Sequence, residues 1–145
     1  MKKSYLLLKD QLCFPIYATS RMVTRMYQPL LKVVNLTYPQ YLVMLVLWEE
    51  ENLSVSQLGK KLYLNTNTVT PLLKKMKDKN LVLKERSSTD ERTVYIQLTP
   101  EGKSLQKRAE SIPLALFNSL NMSIEEFVQM KKLMWKFLDG FEAED

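Results

Sequence analysis

The sequence predicts an α+β protein that is mainly helical, with three consecutive helices, then a β-hairpin, then further helices. Two observations predict this order. Capping boxes, in which a serine or threonine precedes a glutamine or glutamate by three residues, mark helix starts at Thr37, Ser54 and Ser123. After residue 80 the helical spacing of apolar residues gives way to β-prone runs. The length of 145 residues fits a single domain, 1–145.

The first part of the chain is predicted to be helical, with helices over 6–31, 37–51, 54–62 and 66–79. The first of these helices has apolar residues at helical spacing, and we expect Pro15 to interrupt it and Pro29 to mark its end. The last of them begins after Asn65, whose side chain is of the type that caps helix N-termini.

The second part of the chain is predicted to hold the hairpin and two helices. The runs 81–86 and 93–98 are β-prone and flank a polar connection. Pro100 then suits the first turn of a helix that runs to about residue 120, with a kink at Pro113. The last helix ends near Gly140. The three helices between residues 37 and 79, followed by a hairpin, have the order of a winged helix-turn-helix.

The composition excludes most catalytic and metal-binding classes. The chain has no histidine and one cysteine. The usual ligands of zinc, iron and copper, and the bases of Ser-His and Cys-His catalysis, are therefore missing. We expect no metal site, no cofactor and no enzymatic activity.

Membrane and export signals are also missing from the pattern. The longest apolar run, 41–48, is too short to span a bilayer, and the first residues do not read as a signal peptide. A single cysteine fits a reducing compartment. These features predict a cytoplasmic protein with no membrane partner.

The excess positive charge is confined to one third of the chain. Between residues 54 and 99, nine lysines and arginines face four aspartates and glutamates, whereas the rest of the chain is neutral. A charge cluster is usually only a solvated face. Because the whole net charge of +5 lies in one segment, a polyanionic partner is an equal possibility.

The predicted helix over 66–79 has two chemically different faces. Its apolar residues recur at i, i+3, i+4 and i+7, as on a buried face: Val69, Leu72, Leu73 and Met76. The outer face then carries short polar side chains followed by lysines, namely Asn67, Thr70, Lys74 and Lys77. Short side chains let a helix approach base edges, and lysines contact phosphates. The alternative is a lysine-rich surface helix that faces only solvent.

The predicted hairpin carries Asp90, Glu91 and Arg92 at its tip. An arginine on a protruding wing can enter a DNA minor groove. We expect Asp90 to hold its guanidinium in a bidentate salt bridge. The alternative is an ordinary surface ion pair. The position of the hairpin after a basic helix favours double-stranded DNA as the partner.

Four stretches of the sequence together resemble the MarR family of transcription regulators. They are Leu58-Gly59-Lys60-Lys61-Leu62-Tyr63-Leu64, Thr68-Val69-Thr70-Pro71-Leu72-Leu73-Lys74-Lys75-Met76, Asp90-Glu91-Arg92 and Leu98-Thr99-Pro100-Glu101-Gly102. The resemblance covers nearly the whole chain, which is similar to the organic-hydroperoxide-resistance (OhrR-type) repressors and their staphylococcal oxidation-sensing relatives. It implies an obligate homodimer joined by helices in 1–36 and 100–145. A winged helix in 37–99 would read a pseudo-palindromic operator.

The resemblance also implies which residues contact DNA. They lie at the start and outer face of the third helix of the motif and on the wing: Asn65, Thr66, Asn67, Thr68, Thr70, Pro71, Lys74, Lys75, Lys77, Arg86, Asp90 and Arg92. One departure stands out. The family commonly has Asp-Ser-Gly-Thr where this chain has Asn65-Thr66-Asn67-Thr68, and the loss of the acid and the glycine is expected to alter operator preference.

The only cysteine, Cys13, has two readings. A lone cysteine is most often a small buried apolar residue. The resemblance implies instead a redox-sensing thiol, because the hydroperoxide-sensing branch has its reactive cysteine in this Gln-Leu-Cys-Phe position. Tyrosines that match Tyr27 and Tyr38 hydrogen-bond that cysteine, one of them from the other subunit, and a further tyrosine nearby matches Tyr17.

The chemistry expected of such a thiol is oxidation by an organic hydroperoxide to a sulfenic acid. With no second cysteine in the chain, the product is expected to be a mixed disulfide with a low-molecular-weight thiol, or a cyclic sulfenamide. Either adduct would weaken operator binding by moving the two winged helices out of register with major grooves roughly 34 Å apart.

Three alternatives remain open from the sequence. The first is a MarR-type regulator controlled by a small phenolic or apolar ligand. The second is a single-cysteine thiol peroxidase, against which the charged hairpin and the lack of a basic helper near Cys13 argue. The third is a helical interaction protein that uses the C-terminal helix, although core and dimer-interface packing explains the eight methionines more simply.

Overall fold

The computed structural model describes residues 5–142, which form a mainly helical protein with a three-stranded antiparallel sheet. The helices are α1 Cys13–Leu31, α2 Tyr38–Glu49, α3 Val55–Leu62, α4 Thr66–Asp78, α5 Pro100–Ala109, α6 Ile112–Asn118 and α7 Ile124–Glu142. The strands are β1 Leu53–Ser54, β2 Val82–Arg86 and β3 Val94–Leu98, and the sheet order is β1-β3-β2. The predicted fold class, a winged helix-turn-helix flanked by further helices, is confirmed.

The first helix begins later than the sequence predicts. A short 3₁₀ turn, Leu8–Asp10, precedes α1, which starts at Cys13. Pro15 therefore lies in the first turn, where a missing backbone N–H removes no helical hydrogen bond. The expected interruption at Pro15 was wrong. Pro29 lies in the last turn, and α1 continues to Leu31.

The predicted helix starts are formed by the predicted side chains. In the capping box of α2, Thr37 Oγ1 accepts the backbone N–H of Gln40 at 3.4 Å, and Gln40 Oε1 accepts the N–H of Thr37 at 3.1 Å. The box of α3 pairs Ser54 with Gln57 in the same way. Each box satisfies two of the backbone donors that a helix start leaves unpaired.

Three helical segments end in a way that the sequence analysis missed. Asn35, Tyr63 and Asn80 adopt left-handed backbone conformations, with φ of 51°, 55° and 57°. After Tyr63 and Asn80, the next N–H bonds back to the carbonyl five residues earlier, as in a Schellman motif; Leu64 and Leu81 make these bonds at 2.9 and 3.0 Å. Glycine is the usual residue at such a helix end, so its absence hid the signal.

The sheet matches the predicted hairpin and adds one strand. Val82 lies opposite Leu98, and Arg86 lies opposite Val94. The unpredicted strand β1 pairs Leu53 with Ile96 on the other edge of β3. Two residues are too few to show an alternating pattern.

The predicted helix over residues 100–120 is broken rather than kinked. It divides into α5 and α6 between Ala109 and Ile112. Pro113 lies in the first turn of α6 and has no N–H to continue α5. The last capping box is confirmed, because the N–H of Ser123 donates to Glu126 Oε2 at 2.8 Å and the N–H of Glu126 to Ser123 Oγ at 3.2 Å.

The core is centred on α2, which packs with α4 and the sheet in one apolar cluster. The fully buried side chains of this cluster include Val43, Met44, Leu47, Val69, Leu73, Met76 and Ile96. Within residues 5–142 no single helix has the length and apolar composition of a membrane span. The bent pair Cys13–Val34 and Tyr38–Glu49 meets that criterion only jointly, and its second member is this core helix.

Gly59 provides a test of how tightly α3 packs on the turn that leads to α4. A Cβ at this position would lie 2.6 Å from the backbone oxygen of Leu64. We expect Gly59→Ala to lower the free energy of unfolding by about 1–3 kcal/mol, because the turn has to move. Urea unfolding at fixed protein concentration measures this change.

Gly140→Ala is the matched control. Gly140 lies within α7, and a Cβ there would meet nothing within 4 Å. Alanine should stabilise this helix by about 0.5–1 kcal/mol. Equal stability of Gly59→Ala and the wild type would contradict the close packing of α3 against the turn.

Candidate nucleic-acid interface and cysteine site

The outer face of α4 is exposed as the sequence predicts. Val69, Leu73 and Met76 are fully buried, while Leu72 is only partly buried. The opposite side of the helix presents four exposed polar side chains: Asn67, Thr70, Lys74 and Lys77. The helix therefore offers hydroxyl and amide groups near its start and ammonium groups near its end.

The start of α4 is fixed by Asn65. Its Oδ1 accepts the backbone N–H of Thr68 at 3.0 Å and the Thr68 hydroxyl at 3.1 Å. Pro71 lies inside α4 and donates no hydrogen bond to the carbonyl of Asn67, one turn earlier. Both Thr66 and Asn67 are exposed, so this end of the helix is open to a partner.

The tip of the wing is organised differently from the prediction. Asp90 Oδ1 accepts the backbone N–H of Arg92 at 3.0 Å, and Oδ2 accepts the Thr93 hydroxyl at 3.1 Å. The carboxylate thus closes the turn and does not hold the Arg92 guanidinium, so the expected bidentate salt bridge was wrong. The Arg92 and Arg86 side chains are exposed.

The lysines of α4 form no ion pair with the residues that the structure describes. Among residues 5–142 the ion pairs are Lys61 with Glu50 at 2.7 Å and Lys103 with Glu51 at 3.0 Å. Lys74, Lys75 and Lys77 lie outside both pairs. Their charge is therefore available to an anionic partner.

Cys13 is exposed and is the first residue of α1. The backbone N–H groups of a helix start carry a partial positive charge, and no side chain caps this one. Tyr17 lies one turn farther along and is also exposed, and its hydroxyl accepts a hydrogen bond from Arg21 Nη1 at 3.4 Å. The reading of Cys13 as a buried apolar residue does not fit this position.

Tyr27 and Tyr38 lie together, with ring centroids 4.7 Å apart, and Tyr41 lies 5.7 Å from Tyr27. We call these three residues the tyrosine cluster. Burial, and then the neighbouring Tyr38 and Tyr41, raise the pKa of Tyr27 from 10.0 to about 12. Burial also raises the pKa of Tyr38 and of Tyr41. Tyr41 was not among the predicted site residues, although its spacing from Tyr38 places both on one face of α2.

Cys13 and the tyrosine cluster are not brought together within one chain. Cys13 and Tyr27 lie on the same straight element, fourteen residues apart, which is about 21 Å at 1.5 Å per residue. Tyr17 is near Cys13, whereas Tyr38 is near Tyr27. The four predicted redox residues thus form two separate pairs.

A cavity of about 400 Å³ lies between α1 and α7. Its lining includes Pro15 and Ile16, close to Cys13 in the chain, together with Tyr38, Met130 and Met134. The walls are mainly apolar. Among residues 5–142 no group of three or more histidines, cysteines, aspartates or glutamates is placed to hold a metal ion.

Comparison with known proteins identifies relatives over most of the chain. The family model described as Transcriptional regulator SarA/Rot matches residues 25–109. The organic hydroperoxide resistance transcriptional regulator of Bacillus subtilis is 43% identical over 138 residues, which cover 95% of this chain and 94% of the relative.

Solved structures agree with this assignment. Reduced AbfR bound to DNA, a protein of Staphylococcus epidermidis, matches with a TM-score of 0.83 and 33% identity over 99% of this chain and 98% of its own. The structure of disulfide-formed AbfR matches with a TM-score of 0.63 over 99% of this chain and 95% of its own. Apo MarR of E. coli, at 20% identity, shares the fold with a TM-score of 0.69 over 88% of this chain and 97% of its own.

The raised pKa of Tyr27 predicts how stability changes with pH. In the unfolded chain this phenol ionises near 10.0, whereas in the folded chain it stays protonated to about 12. The resulting stabilisation is complete below pH 10.0 and is lost as the pH rises towards 12. In Tyr27→Phe, urea unfolding should therefore show a smaller loss of stability over this interval than in the wild type. Identical pH profiles would contradict the burial of this phenol.

Proposed function

The chain belongs to the SarA/Rot family of transcriptional regulators, with a MarR-type winged helix-turn-helix, and we propose that it is a homodimeric repressor that releases double-stranded DNA when Cys13 is oxidised. One observation carries the redox part. An exposed thiol begins α1 in a chain that is 43% identical to an organic hydroperoxide resistance regulator. We place this activity in the cytoplasm, with its DNA.

The DNA-binding surface proposed here is α4 together with the wing. Its support is the exposed polar face of α4, with three lysines outside the ion pairs of the described chain, and the exposed Arg86 and Arg92 on the hairpin. The lysines contact phosphates, while Asn67 and Thr70 face base edges. AbfR, at 33% identity, has been solved bound to DNA.

The dimer is supported by the exposed apolar surface of α7. None of the described side chains over residues 124–141 is buried, and Leu133 and Trp135 are each 54% exposed. A helix with this composition is unstable in water unless its apolar face is covered. We propose that α7 and the start of α1, which exposes Phe14, are covered by a second copy. Two-fold symmetry then sets the two α4 helices on successive major grooves.

The proposed switch is a two-step reaction at Cys13. The thiolate sulfur attacks the terminal oxygen of an organic hydroperoxide, the O–O bond breaks, and the alkoxide leaves and takes up a proton to become an alcohol. The sulfur is oxidised to a sulfenic acid while the peroxide is reduced. A low-molecular-weight thiol then forms a mixed disulfide and expels water, since the chain has no second cysteine. A cyclic sulfenamide is the other outcome.

The tyrosine cluster takes part in this proposal across the dimer. About 21 Å of helix separates Cys13 from Tyr27 of its own chain, so a hydrogen bond from the tyrosine cluster to this thiol would come from the partner subunit. Phenolic O–H groups that donate to sulfur favour the thiolate. Tyrosine phenols are protonated at neutral pH, and the raised pKa of Tyr27 and of Tyr38 is in the same direction, so both are able to donate. An adduct on Cys13 breaks this contact and adds bulk between the subunits.

The cavity between α1 and α7 favours a second candidate function. Its volume of about 400 Å³ and apolar walls suit a small phenolic or apolar ligand. In that case the same MarR-type regulator responds to a bound molecule, and Cys13 only lies near the pocket. The two candidates differ in the response of Cys13→Ser to the signal: the variant loses this response if Cys13 is the switch and keeps it if a ligand is the signal.

The redox proposal is tested by DNA binding measured as fluorescence anisotropy, with DNA from upstream of the protein's own gene. We expect stoichiometric cumene hydroperoxide plus a small thiol to weaken wild-type binding by about 5- to 150-fold, the usual range of allosteric coupling. Cys13→Ser should stay bound under the same treatment. If both proteins stay bound, or both release alike, the regulator is controlled by a ligand or another residue.

The DNA surface is tested by the salt dependence of the same binding. Lys74→Ala and Lys77→Ala should each weaken binding to all sequences and lower the slope of log affinity against log salt by about 1, because each removes one phosphate contact. Lys107→Ala, an exposed lysine on α5, is the control and should keep the wild-type slope. Equal slopes in all four proteins would place the phosphate contacts elsewhere.

A further inference from the structure

We propose that Lys79 is a positioning residue that couples the tyrosine cluster to α4. The inference rests on the function proposed above and names the contact through which oxidation reaches the DNA-binding helix. Lys79 follows the last residue of α4 directly. The resemblance to known regulators did not mark it as a site residue.

Lys79 connects α4 to a distant part of the chain. Its Nζ donates to the backbone oxygen of Asn35 at 2.7 Å and to Gln40 Oε1 at 3.1 Å. The three lysines within α4 make no comparable bond in the described part of the chain, so this ammonium has a different role from theirs. Hydrogen bonds from a charged donor are shorter and stronger than neutral ones.

The two acceptors of Lys79 belong to the junction between α1 and α2. Asn35 has a left-handed backbone and ends the 3₁₀ turn that follows α1. Gln40 is 2% exposed, and its Oε1 also accepts the N–H of Thr37 in the capping box of α2. One ammonium group therefore bonds to the end of the turn that follows α1 and to the first turn of α2, and it links both to the end of α4.

The same junction carries the tyrosine cluster. Tyr38 lies between Thr37 and Gln40 in the capping box, and its ring contacts Tyr27 of α1. In the function proposed above, loss of the hydrogen bond from either phenol to the partner's thiol shifts α1 relative to α2, and this shift moves the two oxygens to which Lys79 donates. The coupling therefore runs through a polar contact with two alternatives, made or broken.

The chain at Lys79 is connected to the hairpin as well as to α4. The residue after Lys79 is Asn80, whose backbone oxygen accepts the Thr99 hydroxyl at 2.6 Å. Thr99 caps α5 and follows β3. A displacement of Lys79 thus reaches α4 and the hairpin together, which is what a change in the spacing of two winged helices requires.

The experiment compares Lys79→Met with Lys75→Met by DNA-binding anisotropy, for reduced and hydroperoxide-treated protein. Methionine matches the apolar part of the lysine side chain and lacks the ammonium. We expect Lys79→Met to bring the ratio of oxidised to reduced Kd at least about threefold closer to one than in the wild type, within the range of allosteric couplings. We expect it to keep the salt slope. Lys75→Met should keep the wild-type ratio and lower the slope by about 1.

A wild-type Kd ratio retained in Lys79→Met would overturn the proposal, and a lowered slope alongside it would make Lys79 a phosphate contact. If wild-type binding does not respond to oxidation, the proposed redox function fails, and the coupling is judged in the reduced protein alone. There the double-mutant cycle of Gln40→Leu with Lys79→Met decides. Because Gln40→Leu removes the cap of Thr37 in both backgrounds, that loss cancels. Non-additive effects on Kd support the contact, and additive effects overturn it.

Discussion

Burial of one face of α4 against α2 is the constraint on which the candidate DNA surface depends. Val69, Leu73 and Met76 are fully buried in the cluster that contains Val43 and Met44. Since a helix turns by 3.6 residues, fixing these three side chains also fixes the direction of every polar residue between them. The same helix α2 begins with Tyr38, so the element that supports α4 also carries part of the tyrosine cluster. In the proposed function, sensing and DNA binding therefore share one buried support.

The length of α1 is the second constraint. A helix of 19 residues holds its two ends apart, so a chemical change at Cys13 takes place far from Tyr27 of the same chain. The exposed apolar residues of α7 and of the start of α1 require a covering surface. In the proposed dimer, association with the partner meets both requirements: the partner covers these apolar residues and brings its tyrosines close to Cys13.

The parts of the fold that the sequence predicted are those decided by neighbouring residues. The capping boxes at Thr37 and Ser54 and the buried face of α4 need only a few positions along one helix. The sequence marked Pro113 as a kink but not the full break that follows Ala109, and β1 exists only because Leu53 meets Ile96 from a distant segment. The sequence predicted a salt bridge between Asp90 and an arginine because a pattern of charges does not include backbone N–H groups. These groups compete for the same carboxylate oxygens. The separation of Cys13 from Tyr27 follows from the rise of α1, but the tyrosines proposed to reach Cys13 lie in another chain.

The left-handed residues at the ends of helical segments have a consequence for the unfolded chain. Glycine at Asn35, Tyr63 and Asn80 would relieve a backbone conformation that costs other residues roughly 1–2 kcal/mol. Glycine would also give the unfolded chain more conformations to lose on folding. With three glycines in 145 residues, the unfolded chain has fewer backbone conformations than a chain with glycine at these helix ends. Part of its stability therefore comes from the lower conformational entropy of its unfolded state. This contribution cannot be read from the contacts of the native fold.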